Sequence, residues 1–214
     1  MARPGAMSRR SERAPFSGAI LTGGRSSRFG SDKALAIVDG RAMARRVADA
    51  LDDAGAAEVL AIGGDSVALA ALGITPVADR RPGEGPLDGL ITALGAATND
   101  LVVVLACDLP FVTSELIGAL VSAVAVGSGV GGQARPDVAL AGQRGPDVAL
   151  AETDGRIEPL VGCWRTSSCL PVLEQAFATG QRAVHRALAG LSATAVVASP
   201  ETVVNVNRTD DLER

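Results

Sequence analysis

The chain has 214 residues, a formal net charge of -4, 47% hydrophobic residues and only 2% aromatic ones. That length fits one domain with a substantial core, which Ala, Val and Leu must fill because rings are scarce. The acidic balance argues against a nucleic-acid partner bound through a broad basic surface, and no apolar run is long enough to span a bilayer.

Residues 1–16 carry Arg3, Arg9, Arg10 and Arg13 against Glu12, with Pro4 and Pro15 and no apolar stretch of the secretory kind. They are expected to form a disordered arm, leaving a single domain at 17–214. Cys107, Cys163 and Cys169 lack metal-ligand spacing, and an odd number argues against a disulfide framework. A reducing cytoplasm is the expected compartment.

A first buried strand is predicted at 18–21. It opens into Leu21-Thr22-Gly23-Gly24-Arg25-Ser26-Ser27-Arg28-Phe29-Gly30-Ser31-Asp32-Lys33. Gly23 and Gly24 allow a sharp turn that brings backbone N–H groups close to an anion, and Arg25, Arg28 and Lys33 add positive charge. The stretch is therefore a candidate phosphate loop. It is neither a P-loop, since Gly30 is followed by Ser31-Asp32, nor the dinucleotide fingerprint, since its glycines are wrongly spaced.

An extended piece at 35–38 turns at Asp39-Gly40. Met43, Val47, Ala50, Leu51 and Ala54 then recur at helical spacing up to Gly55. Residues 59–62 read as a strand ending at Gly63-Gly64, 67–72 as a short helix, and 74–78 as a strand ending at Asp79. The loop Arg80-Arg81-Pro82-Gly83-Glu84-Gly85 precedes a helix over 87–97 with Pro86 at its start. That helix would turn its free N–H groups towards a ligand. Residues 101–106 are almost purely apolar, as in a central strand buried on both faces, and stop at Cys107-Asp108-Leu109-Pro110. Asp108 at such a strand end is well placed for a metal; a helix cap or turn carboxylate is the plain alternative.

A helix from Thr113 or Ser114 is expected to run to 126. The decapeptide 133–142 is then almost repeated at 143–152, a local duplication. One copy is expected to pair with a strand at 157–164 through an Asp154-Gly155 hairpin turn. Helices follow at 167–178 and 182–188, the second carrying His185, the only histidine, as a surface or packing residue. Strands are predicted at 194–198 and 203–207; in the latter, Asn205 and Asn207 would share a face. The alternation implies a three-layer α/β/α, Rossmann-like domain with a mostly parallel sheet. The candidate residues fall at carboxyl ends of its strands.

With these pieces in place, the chain resembles the molybdenum cofactor guanylyltransferases, within the nucleotidyltransferases that activate sugars. The matching pieces run in family order. They are Leu21 to Gly24 with Arg28-Phe29-Gly30 and Asp32-Lys33, Gly85-Pro86-Leu87-Asp88-Gly89, Cys107-Asp108-Leu109-Pro110-Phe111, Glu158-Pro159-Leu160-Val161-Gly162, and Asn205-Val206-Asn207. The resemblance implies the nucleotide-diphospho-sugar transferase type of fold. It implies transfer of GMP from GTP to the terminal phosphate of the molybdenum-bound pterin, with Mg²⁺ and release of pyrophosphate. It places the nucleotide at Leu21, Thr22, Gly23, Lys33, Asp79 and Asp108, magnesium at Asp108, and a second metal ligand at Asn207. Thr22 replaces the usual Ala, and Ile62-Gly63-Gly64 stand where the family has an asparagine.

On that basis Lys33 and Arg28 are assigned the triphosphate, supported by the amides of Gly23 and Gly24. Asp79 is assigned the nucleoside, and the helix after Gly85 the wall of the base pocket. GTP and a molybdopterin-type acceptor are the expected partners, with transient contact to molybdoenzymes, and without nucleic acid or membrane. A cytidylyl- or sugar-phosphate nucleotidyltransferase on the same fold stays open, as does a non-catalytic nucleotide-binding chaperone.

Overall fold

The computed structural model describes residues 14–23, 33–125 and 145–206. In chain order these form β1 (Phe16–Leu21), β2 (Ile37–Val38), β3 (Arg41–Ala42), α1 (Met43–Ala54), β4 (Val59–Ile62), α2 (Ser66–Ala71) and β5 (Thr75–Val77). There follow α3 (Pro86–Ala96), β6 (Leu101–Ala106), α4 (Ser114–Ala125), β7 (Val148–Thr153), β8 (Arg156–Arg165), α5 (Thr166–Ala178), α6 (Val184–Ala187) and β9 (Ala193–Val197). Short 3₁₀ turns lie at Lys33–Leu35 and Pro200–Val203.

Seven strands build the main sheet in the order β5-β4-β1-β6-β8-β7-β9. β1 pairs in parallel with β4 and β6, β4 with β5, and β7 with β9, while β8 runs antiparallel to both β6 and β7. The sheet is therefore mixed but mostly parallel. The short β2–β3 hairpin turns at Asp39 and Gly40, both at positive φ.

The apolar run of β6 feeds two cores by simple alternation. Leu101, Val103 and Leu105 pack on one face of the sheet with Val47 and Leu51 of α1 and Leu116 and Leu120 of α4. Val102 and Val104 pack on the other with Leu87, Leu90 and Leu94 of α3 and Leu173 of α5. Helices on both faces give the expected three layers. α1 lies so close to β1 that a Cβ on Gly18 would meet Leu51 Cδ1 at 2.8 Å. It ends at Gly55 in the left-handed conformation (φ 93), as expected for a helix closed by glycine.

Two boundaries differ from the sequence reading. Phe16, left in the arm, begins β1 and is buried against the α1 and α4 side of the sheet. The strand expected at 203–207 does not form across its described residues. Pro200 starts a 3₁₀ turn that Thr202 N–H closes onto Ser199 O at 3.0 Å, and Val206 N–H turns to Asp108 O at 2.9 Å instead of joining a ladder. The second copy of the decapeptide supplies β7; the first lies outside the described residues. Opposite Leu150 and Ala151 the pairing of β8 jumps from Gly162 to Glu158, so Pro159, Leu160 and Val161 have no partner on β7. No described helix is long and apolar enough to cross a membrane.

Candidate active site

A cleft of about 470 Å³ opens at the carboxyl ends of β1, β4, β5 and β6. Parallel strands expose loops and helix N-termini at that edge, which is why such sheets bind ligands there. Leu21, Thr22, Gly23, Lys33, Asp79, Gly85 and Asp108 all line it. Residues 75 positions apart meet here: Lys33 Nζ donates to Asp108 Oδ2 at 2.8 Å. The other carboxylate oxygen, Asp108 Oδ1, is buried and has no hydrogen-bond partner among the described residues. An ionised oxygen left without a donor is costly unless a ligand or cation completes it. Gly24, Arg28 and Asn207 lie outside the described residues. Val206, just before Asn207, is tied to the backbone of Asp108.

The start of the loop after β1 is clamped onto the end of β4. Thr22 N–H and Gly23 N–H both donate to Ile62 O, at 3.0 and 2.9 Å. The buried Thr22 hydroxyl lies 3.0 Å from Ile62 O and 2.9 Å from Gly63 O. An alanine at position 22 would keep the backbone bonds and lose this cross-strand tie.

The glycines exist for Asp79. A Cβ on Gly23 would stand 2.6 Å from Asp79 Oδ2; one on Gly63 would stand 2.5 Å from the same oxygen and 2.9 Å from Gly23 Cα. Gly63 also has φ +75, where a side chain is strained in any case. The space beside Gly23 and Gly63 is thus filled by a carboxylate. Asp79 has no hydrogen-bond donor among the described residues, and burial followed by the negative charge of Asp88 pushes its carboxyl above the ordinary value.

Asp88 is the residue the sequence reading underused. It sits in the first turn of α3, 1% exposed, beyond Gly85 (φ 95) and Pro86. Its Oδ2 accepts the Arg81 backbone N–H at 2.9 Å, and its Oδ1 accepts Arg81 Nη1 at 2.8 Å. The helix N-terminus favours the negative charge. The Arg81 guanidinium lies 4.6 Å from the Phe177 ring centroid, and Arg182, paired with Glu84 at 2.8 Å, lies 4.0 Å from it. The loop between β5 and α3 is therefore tied through Arg81 to Phe177 of α5 and through Glu84 to Arg182 beyond it. The only signal in the sequence was an aspartate in the first turn of a predicted helix, seven residues after an arginine. Leu160, which has no partner on β7, also lines the cleft.

The comparisons with known proteins fit this geometry. The model of the MobA-like NTP transferase domain matches residues 18–198. The chain belongs to that family. A relative from Chloroflexus aggregans named "Probable molybdenum cofactor guanylyltransferase" is 31% identical over 211 residues, covering 92% of each chain. One of the same name from Pelotomaculum thermopropionicum is 46% identical over 99 residues, a match spanning 46% of this chain and about half, 48%, of that relative. Among solved structures, molybdopterin-guanine dinucleotide biosynthesis protein A from Archaeoglobus fulgidus superposes with a TM-score of 0.64 at 23% identity, over 92% of this chain and 95% of that one. That likeness is one of fold. His185, in α6, is exposed and does not line the family's cleft.

Proposed function

We propose that this MobA-like NTP transferase moves GMP from GTP to the terminal phosphate of molybdenum-bound molybdopterin and releases pyrophosphate. The observation that carries the reading is the Lys33–Asp108 pair with its unpartnered Oδ1, set beside the glycine turn at the carboxyl ends of β1 and β6. The near full-length likeness to guanylyltransferases names the nucleotide and the acceptor.

In this reaction an acceptor phosphate oxygen bonds to the α-phosphorus as the bond to the bridging oxygen of the β-phosphate breaks. The nucleophile is already anionic at neutral pH, so no general base is needed, and no histidine lines the cleft. The protein's part is positioning and charge neutralisation. We assign the triphosphate to Lys33 and Arg28 with the amides of Gly23 and Gly24. The nucleoside is assigned to Asp79, with Leu21, Thr22 and Gly85 forming the pocket wall.

The residues present fit Mg²⁺, because Asp108 offers a buried carboxylate oxygen with no donor among the described residues. No cluster of three acidic, His or Cys ligands occurs among the described residues, as suits an ion that needs one or two protein ligands beside substrate phosphates. Asp108 and Asn207 would hold it, and the bound ion would neutralise charge developing on the phosphates. A cytoplasmic site of action suits three cysteines that form no disulfide.

The deciding measurement is calorimetric binding of GTP, CTP, ATP and UTP in the presence of Mg²⁺, with Lys33→Ala alongside. GTP alone should bind tightly, and the variant should lose it. A preference for CTP or UTP would keep the fold but remove the guanylyl assignment.

A further inference from the structure

Arg81 has more donors than its structural partners use. Its Nη1 is committed to Asp88 and its face to Phe177, while Nε and Nη2 have no partner among the described residues. The side chain is 51% exposed and lines the cleft beside Asp79, two residues earlier on the same loop. A buried carboxylate, a backbone N–H bond and a ring contact hold this guanidinium in place before any ligand arrives. Such prior ordering is costly to build and is useful mainly for recognition.

The two side chains form a donor and acceptor pattern. Among the described residues, the Asp79 carboxylate oxygens have no donor, and Arg81 Nε and Nη2 have no acceptor. Guanine presents the complement: an acceptor at O6 beside donors at N1 and the 2-amino group. Cytosine and adenine put an amino donor where guanine has O6, facing a guanidinium that can only donate. Uracil has a carbonyl and one N–H but lacks the second donor. We infer that Arg81 is a specificity residue of the nucleotide pocket, donating to guanine O6 while Asp79 accepts from the base N–H groups. The inference rests on the guanylyl reading above and names a side chain that enforces it.

The test compares GTP with the ribonucleoside triphosphate of 2-aminopurine, which keeps the 2-amino group, has hydrogen in place of O6 and carries no proton on N1, so that it also offers Asp79 one donor fewer. Because Arg81→Ala alone would strand the buried Asp88, the informative variant is R81A/D88N, in which the new amide oxygen at position 88 can still accept the position 81 N–H. Calorimetry should show GTP binding weakened roughly ten- to hundredfold in this variant, with 2-aminopurine nucleotide binding unchanged, so that the gap between them shrinks to the part that the missing N1 proton accounts for. In R81K, which retains the ion pair but not the planar fork, the gap should narrow less. Equal weakening of both nucleotides, or no weakening, would overturn the role of Arg81 while leaving guanylyl transfer standing. A wild-type protein that binds CTP as tightly as GTP would overturn both.

Discussion

At the amino end of the sheet, Glu58 Oε1 accepts from Ser17 Oγ at 2.6 Å, Thr98 N at 2.7 Å and Thr98 Oγ1 at 2.6 Å, and Asn99 in turn donates to Ser17 Oγ at 3.0 Å. At the carboxyl end, Asp108 Oδ1 and the whole Asp79 carboxylate have no hydrogen-bond donor among the described residues. Both ends hold carboxylates against the same three strands, β4, β1 and β6. Burial pushes Glu58 up, but the hydrogen bonds from Ser17 and Thr98 outweigh it and hold the carboxyl below its ordinary value. For Asp79 no such bonds occur among the described residues, and burial with the Asp88 charge leaves it raised. A satisfied carboxylate joins strands; an unsatisfied one waits for a ligand.

The sharpest way to break this contrast is Asp108→Ala. If the carboxyl end serves chemistry, GMP transfer should fall on the order of a thousandfold or more while the melting temperature barely changes. Steady-state pyrophosphate release and a thermal melt on the same preparation check both halves. Activity that survives the substitution would remove Asp108 from the site.

Glu58→Gln should do the reverse. Transfer rate and KM for GTP should stay as in the wild type, while stability falls by about 1 kcal/mol after allowance for partial solvent exposure, or roughly 2–4 °C in melting temperature. The pH dependence has a definite sign. With its folded value depressed below 4.5, Glu58 adds stability that is present above that value and is lost as pH falls through the folded value. The difference between wild type and Glu58→Gln should therefore shrink on acidification below pH 4.5. A difference constant across that window would mean that the charge contributes nothing at the amino end.

Much of the carboxyl end could be read from the chain because its parts are local motifs. The β1 strand running into Gly23, the apolar run ending at Asp108, and Lys33 after the glycine loop each announce themselves within a dozen residues. What stayed hidden depends on register between segments distant in sequence. Only the pairing of β1 with β4 reveals that Gly63 must lack a side chain because Asp79 fills that space. Likewise Asp88 reads as one more polar residue of a predicted helix until α3 turns it inward onto Arg81. The misread strand at 203–207 fails for a related reason. Alternating valines carry a strand signal, yet a proline-started turn and one hydrogen bond to Asp108 set the local path. The amino-end network was invisible altogether, since Ser17, Glu58, Thr98 and Asn99 form no motif.

The smallest effect expected is the most discriminating. Asp79→Asn keeps the shape of the side chain and removes the charge that burial and Asp88 oppose. A folded value raised above 3.8 means that the stability linked to Asp79 is fully present below 3.8 and is lost as pH rises through the folded value. At neutral pH the ionised group therefore works against folding, and Asn at this position should raise the melting temperature slightly or leave it unchanged. At acid pH, where Asp79 is protonated in both folded and unfolded chains, the two proteins should melt together. The same variant should bind GTP more weakly, because an amide presents one acceptor oxygen and two N–H donors where the carboxylate presents two acceptors. A substitution that steadies the fold and costs ligand affinity is the mark of a group kept strained for binding. Asp79→Asn that melts lower at neutral pH would instead place Asp79 with Glu58, as a residue that holds strands together.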